Sequence, residues 1–177
     1  MKKNIIFILV SFILFLSGCM ANTPSNVVKK MFVNYQKTSD NIMGELNDYV
    51  NSLTSDNNMI ESYKKVFIHQ YEDLKYEIKD ETIDGDHAVV EVQIEVYDYY
   101  KVNNNVNNYL ASNPEELNNN GFLDNKKVLE YRISELNKTK DRVSYTSNIN
   151  LTKSDKDWSI DNLTNEDLEK IHGTYAY

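Results

Sequence analysis

Cysteine occurs once in this 177-residue chain, at position 19. A single thiol rules out a disulfide framework, a zinc knuckle and, given its place, a cysteine nucleophile within the folded part. Glycine (5) and proline (2) are scarce. No Gly-rich phosphate loop or Gly-x-Ser-x-Gly elbow occurs. Basic residues are outnumbered, with 19 Lys and Arg against 27 Asp and Glu and a formal net charge of -8. Such a surface repels phosphate backbones, and no basic block offsets it, so nucleic acid is not an expected partner. The three histidines, His69, His87 and His172, form no His-x-x-x-His pair, and neither a metal site nor a cofactor is expected. Asp84-Gly85-Asp86 lacks the ligand spacing of a calcium loop and reads as a turn.

Long apolar runs are missing too, save one. Ile5 to Leu16 is interrupted only by Ser11 and follows Lys2-Lys3. Its 12 residues would rise roughly 18 Å as a helix, short of the roughly 30 Å hydrocarbon core. An export signal is therefore a better reading than a spanning helix. Leu16-Ser17-Gly18-Cys19 closes the segment. It resembles the lipobox of bacterial lipoproteins, in which a Leu and two small residues precede an invariant Cys. The resemblance implies diacylglyceryl transfer to the Cys19 thiol and cleavage between Gly18 and Cys19. The alternative is an ordinary secretory signal with an incidental cysteine.

On the lipobox reading, residues 1–18 are removed, residues 19–23 are the lipidated cysteine and a short tether, and residues 24–177 form one α+β domain. Two acyl chains hold a protein to a membrane where one is marginal, because each buried methylene contributes about 0.8 kcal/mol. The expected location is the extracytoplasmic face of the cell membrane, reached through the lipid on Cys19. Loss of Lys2 and Lys3 leaves 17 basic against 27 acidic residues, a net of -10 over 159 residues. That length supports one core and not two large lobes.

Thr23-Pro24 predicts a helix start, with Val27, Val28, Met31, Phe32 and Tyr35 on one face. A second helix is predicted over about 40–53 and a third over about 57–70, capped by Asp56, both with an i, i+3, i+4, i+7 rhythm. The period then changes to two. Leu74, Tyr76 and Ile78 alternate with charged residues, and Asp84-Gly85 signals a hairpin. Ala88, Val90, Val92, Ile94 and Val96 follow as the inward face of a strand. Residues 103–138 interrupt the sheet: Asn103 to Asn108 reads as a loop or frayed helix start, Asn113-Pro114-Glu115-Glu116 as a helix start stopped by Gly121, and 126–137 as a helix. Val143, Tyr145, Ser147, Ile149 and Leu151 share a strand face. After a turn at Asp155-Lys156-Asp157, Trp158 and Ile160 point into a core. Thr164 caps a last helix that Gly173 ends. The order predicts an α+β fold, with N-terminal helices on a curved antiparallel sheet of about four strands and a helical insertion between two hairpins.

At this point the chain resembles the nuclear transport factor 2-like lipoproteins of low-GC Gram-positive bacteria. The resemblance rests on Thr23-Pro24-Ser25-Asn26-Val27-Val28 directly after the lipobox, the hairpin Ile83-Asp84-Gly85-Asp86-His87-Ala88-Val89-Val90, and the closing Lys153-Ser154-Asp155-Lys156-Asp157-Trp158-Ser159-Ile160-Asp161. It implies a cone, a curved sheet wrapped around helices. The 103–138 insertion is longer than a simple family hairpin, and no catalytic motif of the family's enzymes matches.

One stretch of the inward face turns polar. The set from Ala88 to Val96 continues to Asp98 and Tyr100, while Tyr145 and Ser147 lie on the inward set of another strand. These four residues are candidates for a pocket mouth at the open end of a cone. A carboxylate beside apolar walls has a raised pKa and acts as a base. The blander alternative is a strand that outruns its core and leaves Asp98 solvated. Tyr97, Tyr99 and Tyr100 read as a contact surface or as cross-strand packing. His87 is expected to be exposed, and His172 to favour a positive charge at its helix end. The expected function is a non-enzymatic binding or interaction module for a protein, a peptide or envelope material. The alternative is an enzyme of the same cone that uses Asp98 as general acid or base.

Overall fold

A computed structural model describes residues 22–115, 118–119 and 122–177. The segment expected to be an export signal, with Gly18 and Cys19, and also Glu116 and Gly121 lie outside the described residues. The elements run α1 (Pro24–Gln36), α2 (Asp40–Leu53), α3 (Asn57–Glu72), β1 (Lys75–Asp84), β2 (His87–Tyr97), α4 (Tyr99–Ser112), β3 (Asn118–Asn119), β4 (Phe122–Leu123), α5 (Asn125–Lys138), β5 (Arg142–Ser154), β6 (Asp157–Ile160) and α6 (Asn165–His172). This is an α+β fold with an antiparallel sheet in the order β1-β2-β5-β6.

Helix starts follow side-chain chemistry. Thr23, Asp56, Asp98, Asp124 and Thr164 each accept a backbone N–H of their helix's first turn. Each cap is worth about 1 kcal/mol. Thr164 and Asp167 complete a reciprocal capping box on α6. Both hairpins of the main sheet turn in two residues, Gly85-Asp86 and Asp155-Lys156, with Gly85 at φ 60° and Asp155 at φ 57°. These left-handed values suit Gly and Asp and match the twist of the flanking strands. Between Ile78 and Asp80 the β1–β2 register shifts, a bulge that bends the strand.

Period two on the strands puts Ala88, Val90, Val92, Ile94 and Val96 beneath the helices, all buried. Tyr145, Ser147, Ile149 and Leu151 continue that buried face on β5. Helix α1 lies against β1, β2 and β6, and α6 against β2 and β5. Val28 and Phe32 of α1, Leu46 and Val50 of α2, and Val66 of α3 close the core. Burial of each such side chain contributes roughly 1.5–3 kcal/mol. Trp158 and Ile160 are half-buried against it.

The insertion departs from the sequence expectation in two places. Asn103 to Asn108 is neither a loop nor a frayed start but the middle of α4. Val102, Val106 and Leu110, spaced by four, turn that helix's apolar face inward. Among the described residues no helix follows Asn113 before α5. Asn113 is the C-cap of α4, Pro114 and Glu115 lie in a turn, and Asn118–Asn119 pairs with Phe122–Leu123. Helix α4 packs on α5, and α5 on α3, which adds a helical flank beside the sheet.

Candidate functional site

The inward alternation of β2 stops at Tyr97 and does not continue through Asp98 and Tyr100. Asp98 is buried and caps α4, with Oδ1 accepting from Lys101 N–H at 2.9 Å. Its own N–H donates to the Asp141 carbonyl at 2.9 Å, which fixes the bend between strand and helix. The reading of Asp98 as a solvated overhang is thus overturned, because the backbone turns back over the core. Tyr100 sits in the first turn of α4 and donates its N–H to the Gly173 carbonyl at 2.7 Å. Tyr97 and Tyr99 are both buried rather than forming an outer contact surface.

Residues 174–177 close over this corner. Tyr177 donates its hydroxyl to Asp98 Oδ2 at 2.6 Å, and its ring lies 5.5 Å from Tyr100 and 6.4 Å from Tyr145, centroid to centroid. Tyr145 donates its hydroxyl to the Tyr175 carbonyl at 3.1 Å. Burial, then the nearby Asp98 carboxylate, pushes the Tyr145 phenol well above its ordinary value. Asp98, Tyr100 and Tyr145 therefore do meet, with Tyr177 as an unforeseen fourth member. Ser147 does not join them. It donates to Asp167 Oδ1 at 2.8 Å and ties the capping box of α6 to β5.

The histidines divide by burial. His87 is exposed, as expected, and His69 is exposed and stacks on Tyr97 at 5.1 Å. His172 is buried among Tyr49, Phe67 and Tyr71, with ring centroids 4.6, 5.3 and 5.9 Å away. Burial lowers its pKa to about 4. The expected preference for a positive charge is overturned: a helix end favours a cation by about 0.3–1 kcal/mol, less than desolvation costs here. Among the described residues no group of three His, Cys, Asp or Glu side chains is placed to hold a metal ion.

A second place gathers polar groups that the sequence reading missed. A cavity of about 250 Å³ opens between α2, α3, α4 and α5, walled by Tyr49, Leu53, Tyr63, Phe67, Tyr99 and Leu136. Among the described residues Arg132 is its only charged lining residue, and Asn103 lines it beside Arg132. Arg132 donates from Nη1 to Asn103 Oδ1 at 2.9 Å and from Nη2 to Asn107 Oδ1 at 3.0 Å. Asn103 and Asn107 lie one helical turn apart on α4, so both amides face the guanidinium. Neither Tyr49 nor Tyr63 has a hydrogen-bond partner for its hydroxyl among the described residues. Both phenols have raised pKa values, first through burial; for Tyr49 the neighbouring Tyr63 adds to the rise, and for Tyr63 the charge of Arg132 opposes it. Both therefore remain neutral donors near pH 7.

A larger groove of about 400 Å³ lies between α4 and α5. Its cations are already neutralised, Lys101 by Asp141 at 2.6 Å and Lys138 by Glu135 at 2.7 Å. Arg132 differs, since no carboxylate among the described residues pairs with it. The signal that pointed to it was the i, i+4 pair of asparagines within a polar run, legible only once that run is known to be helical.

Among the described residues no helix is long and apolar enough to cross a membrane. Set against family models, curated proteins and solved structures, the chain matches none of them.

Proposed function

We propose that this chain is a lipid-anchored binding module held at the extracytoplasmic face of a cell membrane through Cys19. The location follows from Lys2-Lys3, the short apolar run and Leu16-Ser17-Gly18-Cys19, a pattern that two acyl chains would turn into a stable anchor. The nuclear transport factor 2-like resemblance belongs to the same reading, and the α+β fold with helices on one sheet face is compatible with it.

The observation that carries the binding role is the contrast between the two polar places. At the sheet's end, Asp98, Tyr145 and Ser147 are engaged in internal bonds. In the helical flank, an Arg with no carboxylate partner and two phenol hydroxyls with no hydrogen-bond partner, among the described residues, open on an apolar-walled cavity. Few convergent polar groups in a hydrophobic wall are what a ligand site requires. Changing Cys19 to Ser and fractionating cells tests the anchor. Wild type is expected in the membrane fraction as a processed form, and C19S in the soluble fraction or uncleaved. Identical processing and fractionation of the two proteins would contradict the proposal.

A second reading keeps Asp98 as a general acid or base. Its support is a buried carboxylate in contact with the Tyr177 hydroxyl. Titration of the Asp98 carboxyl by NMR tests it. A value near the ordinary carboxylate range of about 4 removes the reason for assigning it proton transfer near pH 7.

A further inference from the structure

We propose that the cavity between α2, α3, α4 and α5 binds a small organic carboxylate, with Arg132 taking the carboxylate and the aromatic wall taking an apolar body. The inference rests on the binding-module reading and names the ligand class for it.

Charge comes first. Arg132 is half-buried and carries five N–H donors. Its two named bonds go to neutral amide oxygens, which orient the planar fork without neutralising it. A cation held away from full hydration gains from an anion, and a guanidinium fork matches a carboxylate with two parallel bonds. None of the other lining residues is acidic. The site therefore stays locally cationic on a chain whose formal net charge is -8.

The phenols of Tyr49 and Tyr63 are available as donors as well. The hydroxyls of Tyr49 and Tyr63 lack acceptors among the described residues, and an anion would supply them. A neutral or cationic ligand would leave Arg132 unpaired and the phenols with weaker acceptors. Aromatic and aliphatic walls, Phe67, Tyr99, Leu129 and Leu136 among them, then set the rest of the ligand. A volume of about 250 Å³ falls below the roughly 300–1,000 Å³ typical of drug-sized sites. That limits the apolar body to a single ring or a short acyl chain.

Part of this cavity exists because of the insertion. Asn103, Leu129, Arg132 and Leu136 come from α4 and α5. The helical flank therefore brings the site its charge as well as much of its wall.

The test uses the ¹⁵N-labelled full chain in detergent micelles, titrated with phenylacetate, hexanoate and the neutral phenylacetamide. The readouts are the Arg132 Nε–H signal and the amide signals of α3, α4 and α5. At least one carboxylate is expected to shift these signals saturably, and phenylacetamide to bind at least about tenfold more weakly than phenylacetate. R132Q is expected to weaken the carboxylate at least about tenfold and to leave the amide within about threefold. Y63F, which keeps the ring, is expected to weaken the carboxylate by roughly three- to tenfold. Equal binding of phenylacetate and phenylacetamide, saturation of neither carboxylate, or an unchanged carboxylate affinity in R132Q would each overturn the assignment. The comparison of acid with amide needs no variant, so it decides even if R132Q folds poorly. Fractionation of C19S reads none of these outcomes, so failure of the ligand class and failure of the anchor are distinguishable.

Discussion

Gln70 engages both backbone groups of Tyr97, accepting from its N–H at 2.8 Å and donating to its carbonyl at 3.0 Å. Strand β1 begins at Lys75, opposite Glu95, so β2 has outrun that neighbour when it reaches Tyr97. A side chain of α3 takes the missing strand's place. The same amide nitrogen donates to the His172 carbonyl at 2.9 Å. Helix α3, the end of β2 and the end of α6 are thus joined through one fully buried side chain. This junction positions the start of α4, and α4 supplies the asparagines that orient Arg132.

Q70L keeps most of the volume and removes every bond. It leaves Tyr97 N–H, Tyr97 C=O and His172 C=O each short of a partner, at roughly 1–3 kcal/mol per group. A loss of about 3 kcal/mol or more is expected, read as a lower urea midpoint with an unchanged slope.

Two glycines should respond oppositely to alanine. Gly173 has φ 73°, and a Cβ there would collide with the Tyr97 carbonyl oxygen and Gln70 Nε2. G173A is expected to cost at least about 3 kcal/mol, since both the left-handed backbone and the backbone collision oppose it. Gly44 lies within α2 with open space where a Cβ would go. G44A is expected to stabilise by about 0.5–1 kcal/mol. Thermal melts of the two variants check both signs.

His172 predicts an acid-sensitive core. Its folded pKa, about 4, lies below the ordinary value of about 6.5, so between these values the unfolded chain binds the proton that the folded chain excludes. Stability from this group is complete above about pH 6.5 and is lost as pH falls towards 4. The full contribution is on the order of 3 kcal/mol. H172F, which keeps an aromatic ring in the pocket, is expected to flatten the pH dependence of unfolding between pH 4 and 6.5. An unchanged slope in that window would count against a buried neutral imidazole.

Most of the layers were legible because burial and period agree there. The apolar stripes of α1, α2 and α3, the alternation of β2 and β5, and the Thr164 cap each needed only local rules. Asn103 to Asn108 misled because asparagine is a poor helix former. There Val102, Val106 and Leu110, together with the Asp98 cap, decide the conformation. Ala88 to Val96 also invited extension of the strand through Asp98 and Tyr100. Nothing local showed that the Asp141 carbonyl would turn the chain there. Gln70 stood on an otherwise apolar stripe with Tyr63, Val66, Phe67 and Tyr71. A polar residue at such a place marks a tertiary bond but cannot name its partner. The Arg132 cavity depends on four helices meeting, which no window of sequence contains.

Tyr177 offers a separate probe of the Asp98 corner. Its phenol is raised above the ordinary value, chiefly by donating to Asp98. In D98N the Tyr177 ionisation is expected to move down towards about 10 in an ultraviolet titration. No movement would mean that this hydrogen bond is not populated in solution.

The anchor is the central claim, and the mass of the first peptide of the membrane-extracted protein tests it most directly. The account predicts a peptide beginning at Cys19 with a diacylglyceryl group on its sulfur. An unmodified Cys19 within a peptide that still contains Gly18 would contradict it.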